Sequence, residues 1–247
     1  MVLYRYVKKT ASFSPETVLR KAKNKRRFIA LGIFIVGLFF LGNVVYPIVS
    51  YQLFTAPKFA DIFLTPTSES QAQQSFSGPP VVLGQEIDLV DFTQVKNWFP
   101  GSEAVLSEEK ESYYRLSIPK LRIEDALVAV NGVDLKKSLV QYANTSLPGR
   151  FGNTVIFGHS VLPQFFNPKN YITIFSTLPT LSPEDEIIIA YDKVKYKYIV
   201  EKMIEVFPND VSILAQRYDD SYLTLITCVP PGTYLKRLIV RARLTKI

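Results

Sequence analysis

NTVIFGH (Asn153 to His159) and YLTLITC (Tyr222 to Cys228) are two apolar, β-branched runs, and each ends on a residue type that occurs once in the chain. Runs of this composition predict strands. A single thiol and a single imidazole at two strand ends leave one pairing through which a cysteine nucleophile can pass its proton. Taken alone, a lone cysteine is more often a small buried hydrophobe, and a lone histidine an ordinary strand-end residue. The residues after Cys228 add a third group. VPPGTYLK separates it from RLIVRARL, a further strand opening at Arg237, and Pro230-Pro231-Gly232 marks the connection as a loop. Antiparallel neighbours joined by so short a loop set the end of one beside the start of the next, so Cys228 and Arg237 are expected on one rim of a sheet. A guanidinium there favours thiolate and stabilises a developing oxyanion; a solvated strand-end arginine is the plainer alternative. Alternation puts Cys228 on the face of Thr224 and Ile226, and Arg237 on that of Ile239, Arg241 and Arg243, the last two read as a solvated face.

Working outward, strands are expected at 113–118, 125–130, 140–145, 153–159, 185–191, 195–206, 222–228 and 237–244, with short helical pieces at Asp134 to Leu139, Ile172 to Leu178 and Asp210 to Ala215. Eight strands with short helices between them predict a mainly β fold, a closed eight-stranded barrel.

The order LSIPKLRI, SLPGRFGNTVIFGHS, TLITC and an arginine opening the final strand resembles the sortase family, membrane-anchored cysteine transpeptidases of bacterial surfaces, over residues 113 to 247. The resemblance implies that His159, Cys228 and Arg237 are the catalytic set; Thr227, which adjoins the cysteine and is equally read as an ordinary strand threonine, and Ser160 are candidate substrate-binding residues. It implies that the loop from Phe207 to Ser221 shapes the pocket for the Leu and Pro of an LPxTG-like sorting signal, and that Asn167 to Tyr171 covers one side of the groove. The partners it implies are exported proteins carrying that signal and an amine from a cell-wall peptide or a pilin lysine. Two departures stand out: QYANTS before Pro148 lacks the histidine and glycines many members carry there, and Pro183-Glu184-Asp185 stands where Gly-Asp is usual. Two alternatives remain, a membrane-anchored cysteine peptidase in which water resolves the thioacyl intermediate, and a non-enzymatic surface module with an inert Cys228.

Charge separates the chain into unlike parts. Of the net +7, residues 1–27 contribute +8, from nine Lys/Arg against Glu16, and the remaining 220 residues are close to neutral. Directly after this basic tail, Phe28 to Tyr46 is 19 residues without a charge, about 28 Å of helix and close to the thickness of a bilayer core. The run is too long for the apolar region of a cleaved signal peptide and lacks a small-x-small site, so an uncleaved anchor is expected. Basic residues on its N-terminal side put the tail in the cytoplasm and the rest outside. The nearly balanced outer part offers no electrostatic footprint for nucleic acid, and one cysteine excludes an internal disulfide.

The expected organisation is a basic cytoplasmic tail (1–27), a transmembrane helix (28–50), a flexible Pro/Ser/Thr/Gln-rich stalk (51–84), an extension packing on the domain (85–112) and the catalytic domain (113–247). Ile87, Leu89, Val90, Phe92, Val95, Trp98 and Phe99 give the extension its apolar set; a lid over the active site is its sharper reading and a packing segment the commoner one. No metal site is expected, because one His and one Cys cannot make a zinc cluster. No Gly-rich phosphate loop or GxSxG elbow occurs. The acid pairs Asp219-Asp220 and Glu108-Glu109 read as loop solvation, from which no calcium site can be read, and no cofactor is expected.

Overall fold

Period-two alternation of apolar side chains, sustained over eight strands, closes the second half of the chain into a cylinder. The computed structural model describes residues 15–59, 91–99 and 112–245. The strands are β1 (Ser112–Ile118), β2 (Ile123–Val130), β3 (Leu139–Gln141), β4 (Gly152–Phe157), β5 (Glu186–Tyr191), β6 (Val194–Val206), β7 (Ser221–Val229) and β8 (Lys236–Leu244). They run in the order β1-β2-β3-β4-β7-β8-β6-β5, and β5 returns to β1 to complete the expected closed barrel. Two neighbouring pairs are parallel, β2 with β3 and β4 with β7.

Side chains from all eight strands, among them Leu116, Val128, Leu139, Ile156, Ile189, Val200, Leu225 and Val240, meet in one buried cluster that fills the interior. A second cluster gathers the opposite faces of β3, β4, β6, β7 and β8, including Val140, Val155, Phe157, Ile226, Cys228 and Ile239. The barrel therefore carries an apolar outer face along this arc, and that face must be covered. Val95, Trp98, Phe99, Leu135 and Ile213 cover it. In β6 a register shift between Val200 and Lys202 changes which residues face inward, so Ile204 and Val206 join the outer cluster.

Local hydrogen bonding moves several expected boundaries. The third strand ends at Gln141 rather than at 145, because Thr145 Oγ1 donates to the Tyr142 carbonyl at 2.6 Å and Gln141 Nε2 to the Thr145 and Ser146 carbonyls, both at 3.2 Å. Such side-chain bonds offer the backbone an alternative to the ladder. The helix expected over Asp134 to Leu139 is a turn: the Lys136 N–H donates to Asp134 Oδ1 at 2.9 Å, and Leu139 is already in β3. Asp210 to Ala215 retains one turn of 3₁₀ helix, Val211–Leu214, started by Asp210 accepting from the Ser212 N–H. Ile172 to Leu178 is a succession of turns rather than a helix.

Near the N-terminus, α1 (Pro15–Ser50) is 36 residues long, and it is long and apolar enough to cross a membrane. Its large apolar side chains are exposed all round, Phe28 at 73% and Phe40 at 64% among them, as lipid-facing side chains are. The chain divides between Tyr46 and Pro47 into two compact units. Tyr51 to Phe59, assigned to a flexible stalk on composition, are instead helical, a π turn (Tyr51–Thr55) running into a 3₁₀ turn (Ala56–Phe59). Tyr51 and Phe59 are buried in the interior cluster of the barrel. Apolar burial decides the matter: two aromatic side chains removed from water contribute more than the polar composition around them suggests.

This docking has a measurable consequence. A soluble chain beginning at Gln85 lacks both aromatics and is expected to melt about 5–10 °C below one beginning at Pro47, in line with a loss of roughly 3 kcal/mol. Equal melting temperatures by differential scanning calorimetry count against the docking.

Candidate active site

Two sheet registers bring the three sequence-predicted residues together. β7 lies parallel to β4, with Phe157 opposite Ile226, and the Gly158 N–H continues the ladder to the Ile226 carbonyl at 3.1 Å. His159 thus leaves the sheet beside the end of β7. On the other side β7 is antiparallel to β8, and the register pairs Cys228 directly with Arg237. All three are buried: His159 is 6% exposed, Cys228 1% and Arg237 1%. Gly158 is needed at its position because a Cβ there would lie 2.3 Å from Cδ2 of Phe175, whose own N–H holds the His159 carbonyl at 3.0 Å.

Thr227 and Ser160 each make a backbone hydrogen bond beside the cysteine. Thr227 alternates away from Cys228, and its hydroxyl donates to the Gly158 carbonyl at 2.8 Å; the Ser160 hydroxyl donates to the Cys228 carbonyl at 2.7 Å. Each rivets the end of β7 to the segment bearing His159. Each hydroxyl donates to backbone and keeps acceptor lone pairs, so these bonds are compatible with the expected substrate contact.

A segment remote in sequence completes the site. The N–H of Val95 bonds the Val133 carbonyl, the N–H of Leu135 bonds the Thr93 carbonyl, and Gln94 bridges Asp134, which clips residues 91–99 to the loop before β3. Phe92 stacks on Tyr234 of the β7–β8 loop, centroids 4.2 Å apart and planes within 11°. Trp98 is fully buried, with its indole N–H held by the Phe92 carbonyl at 2.7 Å. Its ring lies 5.7 Å from the His159 imidazole and edge-on to Phe157. Trp98 belonged to the apolar set read from the sequence; Tyr234 was missed, since nothing in VPPGTYLK identifies a stacking partner 142 residues away. Ile87, Leu89 and Val90 of the same set lie outside the described residues.

Arg237 is held in an aromatic and carbonyl cage. Nη1 donates to the carbonyls of Tyr234 (3.1 Å) and Lys236 (3.3 Å), and Nη2 to that of Trp98 (3.1 Å). The guanidinium sits over the rings of Trp98, Phe92 and Phe99 at 5.3, 5.8 and 6.0 Å. Among the described residues, Nε of Arg237 and Nε2 of His159 are buried without a hydrogen-bond partner, an arrangement that costs free energy unless a ligand supplies the missing bonds.

Burial dominates the electrostatics. It pushes the Cys228 thiol up to about 11, against a smaller downward pull from Arg237. It pushes His159 down to about 4; Asp91 and Asp134 oppose it and Lys136 reinforces it. Low dielectric disfavours the charged form of each group, which raises an acid thiol and lowers a cationic imidazole. With residues 91–99 in place the pair is therefore neutral thiol and neutral imidazole at pH 7. Burial also lowers the pKa of Arg237.

The remaining groups singled out from sequence have other surroundings. Ile213, in the loop from Phe207 to Ser221, is buried in the outer cluster with Ile226 and Phe157. Tyr171, expected to cover the groove, packs on the interior cluster and accepts from the Leu127 N–H at 3.0 Å. Arg241 and Arg243 part company: Arg243 is half exposed and pairs with Glu201 at 2.6 Å, whereas Arg241 Nε is buried without a partner among the described residues, which corrects its reading as solvated. Asp219 is not merely solvated either, since it pairs with Arg217 at 2.7 Å and accepts from the Tyr222 hydroxyl at 3.0 Å. No group of three or more His, Cys, Asp or Glu side chains comes together among the described residues.

The pH dependence of thiol reactivity follows from sign. Only thiolate alkylates, and a thiol held near 11 is protonated throughout the neutral range, so the rate of Cys228 alkylation by iodoacetamide is expected to rise about tenfold per pH unit from pH 7 to 10. A plateau reached below pH 9 contradicts the buried, neutral pair.

The Sortase domain family model matches residues 116–245, more than half of the chain. Sortase A of Bacillus anthracis is 27% identical over 158 residues, 63% of this chain and 67% of that protein. Among solved structures, Sortase A from Corynebacterium diphtheriae is 28% identical, covering 57% of this chain and 64% of that one with a TM-score of 0.49. A Clostridium perfringens Sortase D5 transpeptidase is 26% identical, covering 56% and 83% with a TM-score of 0.48. With the family domain matched across the barrel, from β1 to the end of β8, the chain belongs to the sortase family of cysteine transpeptidases.

Proposed function

We propose that the protein is a membrane-anchored transpeptidase that cleaves an LPxTG-like sorting signal of exported proteins and passes the acyl group to an amine, with Cys228 as nucleophile, His159 as acid and base, and Arg237 as oxyanion donor. The observation that carries this reading is the seat of the Trp98 carbonyl: a peptide carbonyl held by the guanidinium that the sheet register pairs with Cys228. A substrate carbonyl in that seat lies where a thiolate can attack it.

The chemistry follows from the groups present. When substrate displaces residues 91–99, water-free packing on the pair is relieved and the Cys228 proton passes to His159. Sγ attacks the scissile carbonyl carbon, and the oxyanion that forms is bound by Arg237. Collapse breaks the C–N bond, His159 gives its proton to the departing amine, and a thioacyl enzyme remains. The neutral imidazole then takes a proton from the incoming amine, whose nitrogen attacks the thioacyl carbon. Sγ leaves as thiolate and recovers the proton from His159. The acceptor is an amine of a cell-wall peptide or a pilin lysine. Residues 91–99 act as a lid, since Trp98 fills the space over His159 and Arg237 that substrate needs.

Location supports the same reading. The basic residues ahead of the apolar stretch from Phe28 to Tyr46 orient the anchor with its N-terminus in the cytoplasm and the barrel outside. The domain limits that follow are a tail to residue 27, the anchor from 28, and a catalytic domain that takes in Tyr51 to Phe59 as well as 113–247.

The test separates transfer from hydrolysis. Purified protein given an LPxTG-type peptide and an oligoglycine or stem-peptide amine is expected to yield the ligated product, with an acyl adduct on Cys228 detected by intact mass; Cys228→Ala forms neither. Hydrolysis alone, whatever the amine concentration, favours a peptidase. Turnover by Cys228→Ala removes the nucleophile.

Lid opening gives a second expectation. Trp98→Ala exposes the pair, so Cys228 alkylation at pH 7 is expected to quicken about tenfold or more while overall stability falls by about 3–5 kcal/mol. Unchanged alkylation means that Trp98 does not gate the thiol.

A further inference from the structure

The segment that follows the membrane anchor reaches the strand that faces Arg237. The Tyr51 hydroxyl donates to Glu205 Oε1 at 2.5 Å, and Lys236 Nζ donates to Glu205 Oε2 at 3.0 Å. Both carboxylate oxygens are thus engaged, one by a residue outside the barrel strands. The Glu205 side chain is only 7% exposed and Tyr51 6%, so neither group finds replacement partners in bulk water. A buried carboxylate keeps its place only when its oxygens are satisfied.

Position makes this cluster more than a docking contact. Glu205 sits opposite Leu238 in the β6–β8 ladder, and its neighbour Val206 pairs with Arg237. Lys236 is the first residue of β8 and pairs with Val229, next to Cys228. Its ammonium also lies 5.7 Å over the Phe207 ring. Two of the three carbonyls that aim the guanidinium, those of Tyr234 and Lys236, belong to this strand start and the loop before it. The third comes from Trp98, which must leave when substrate enters. Once the lid departs, the direction of Arg237 therefore depends on how firmly the start of β8 is held.

We propose that Tyr51 is a positioning residue for Arg237: through Glu205 it clamps Lys236 and the start of β8, and so keeps the guanidinium aimed at the oxyanion when the lid is open. The juxtamembrane segment is on this view a working part of the catalytic rim as well as a tether. The role rests on Arg237 being the oxyanion donor.

The full-length chain in lipid nanodiscs, assayed with a fluorogenic LPxTG-type peptide and triglycine, tests it. Tyr51→Phe removes one hydroxyl from an aromatic side chain that otherwise packs unchanged, and is expected to lower kcat about tenfold with little change in KM. Glu205→Gln, which releases the Lys236 ammonium, is expected to do the same. Alkylation of Cys228 by iodoacetamide, which needs no oxyanion donor, stays within about twofold in both. In an Arg237→Lys background, already impaired, adding Tyr51→Phe costs less than about twofold further, because the group it positions is gone. Wild-type kcat in Tyr51→Phe, or a full tenfold loss on top of Arg237→Lys, overturns the proposal. An Arg237→Lys protein with wild-type kcat instead removes the oxyanion role of Arg237, and with it the reading on which the clamp depends.

Discussion

β7 is pinned between two partners of opposite direction, and the rest of the site hangs on that double register. The parallel ladder to β4 fixes how far the His159 segment travels along β7, and the antiparallel ladder to β8 fixes Arg237 against Cys228. A slip of one residue in either would turn a functional side chain to the opposite face. The slip is resisted on both faces, because Leu223 and Leu225 are buried in the interior cluster while Ile226 and Cys228 are buried in the outer one. Two hydroxyls, those of Thr227 and Ser160, then tie the end of β7 to the backbone on either side of His159. Residues expected as substrate contacts also hold the frame around Cys228.

The second organising effect is dehydration. A thiol, an imidazole and a guanidinium lie together under Trp98 and Phe99, and the same burial that raises the thiol lowers the imidazole. Coulombic help from Arg237 is present but smaller than the desolvation it works against. Proximity of a cation therefore does not by itself produce a thiolate; solvent access does. Among the described residues, Nε of Arg237 and Nε2 of His159 are buried without a hydrogen-bond partner. The carbonyl of Trp98 is taken by Nη2 of the same guanidinium and meets neither need.

An outer face of a barrel cannot stay bare when it is this apolar, and covering it brings together chain segments far apart in sequence. Residues 91–99 and the turn at Val211–Leu214 meet over the same strands. At the rim, Tyr51 reaches Glu205 across 154 positions. Contacts of such separation carry no local signature, yet they decide which groups are dry and which are free to move.

Length, alternation and the two single-copy residues were enough to read the barrel and the long apolar helix from the sequence alone, and to expect Cys228 beside Arg237. Strand periodicity and a short loop are local properties, and the pairing of Cys228 with Arg237 follows from them almost arithmetically. What the tertiary structure alone decided is everything set by burial between remote segments. It moved Tyr51 to Phe59 from stalk to core, turned Thr227 and Ser160 toward backbone carbonyls, buried the Nε of Arg241 and laid Trp98 against His159 and Arg237. Composition reports how polar a residue's neighbours are along the chain, whereas desolvation depends on neighbours in space. That difference is why the residues were legible and their protonation states were not.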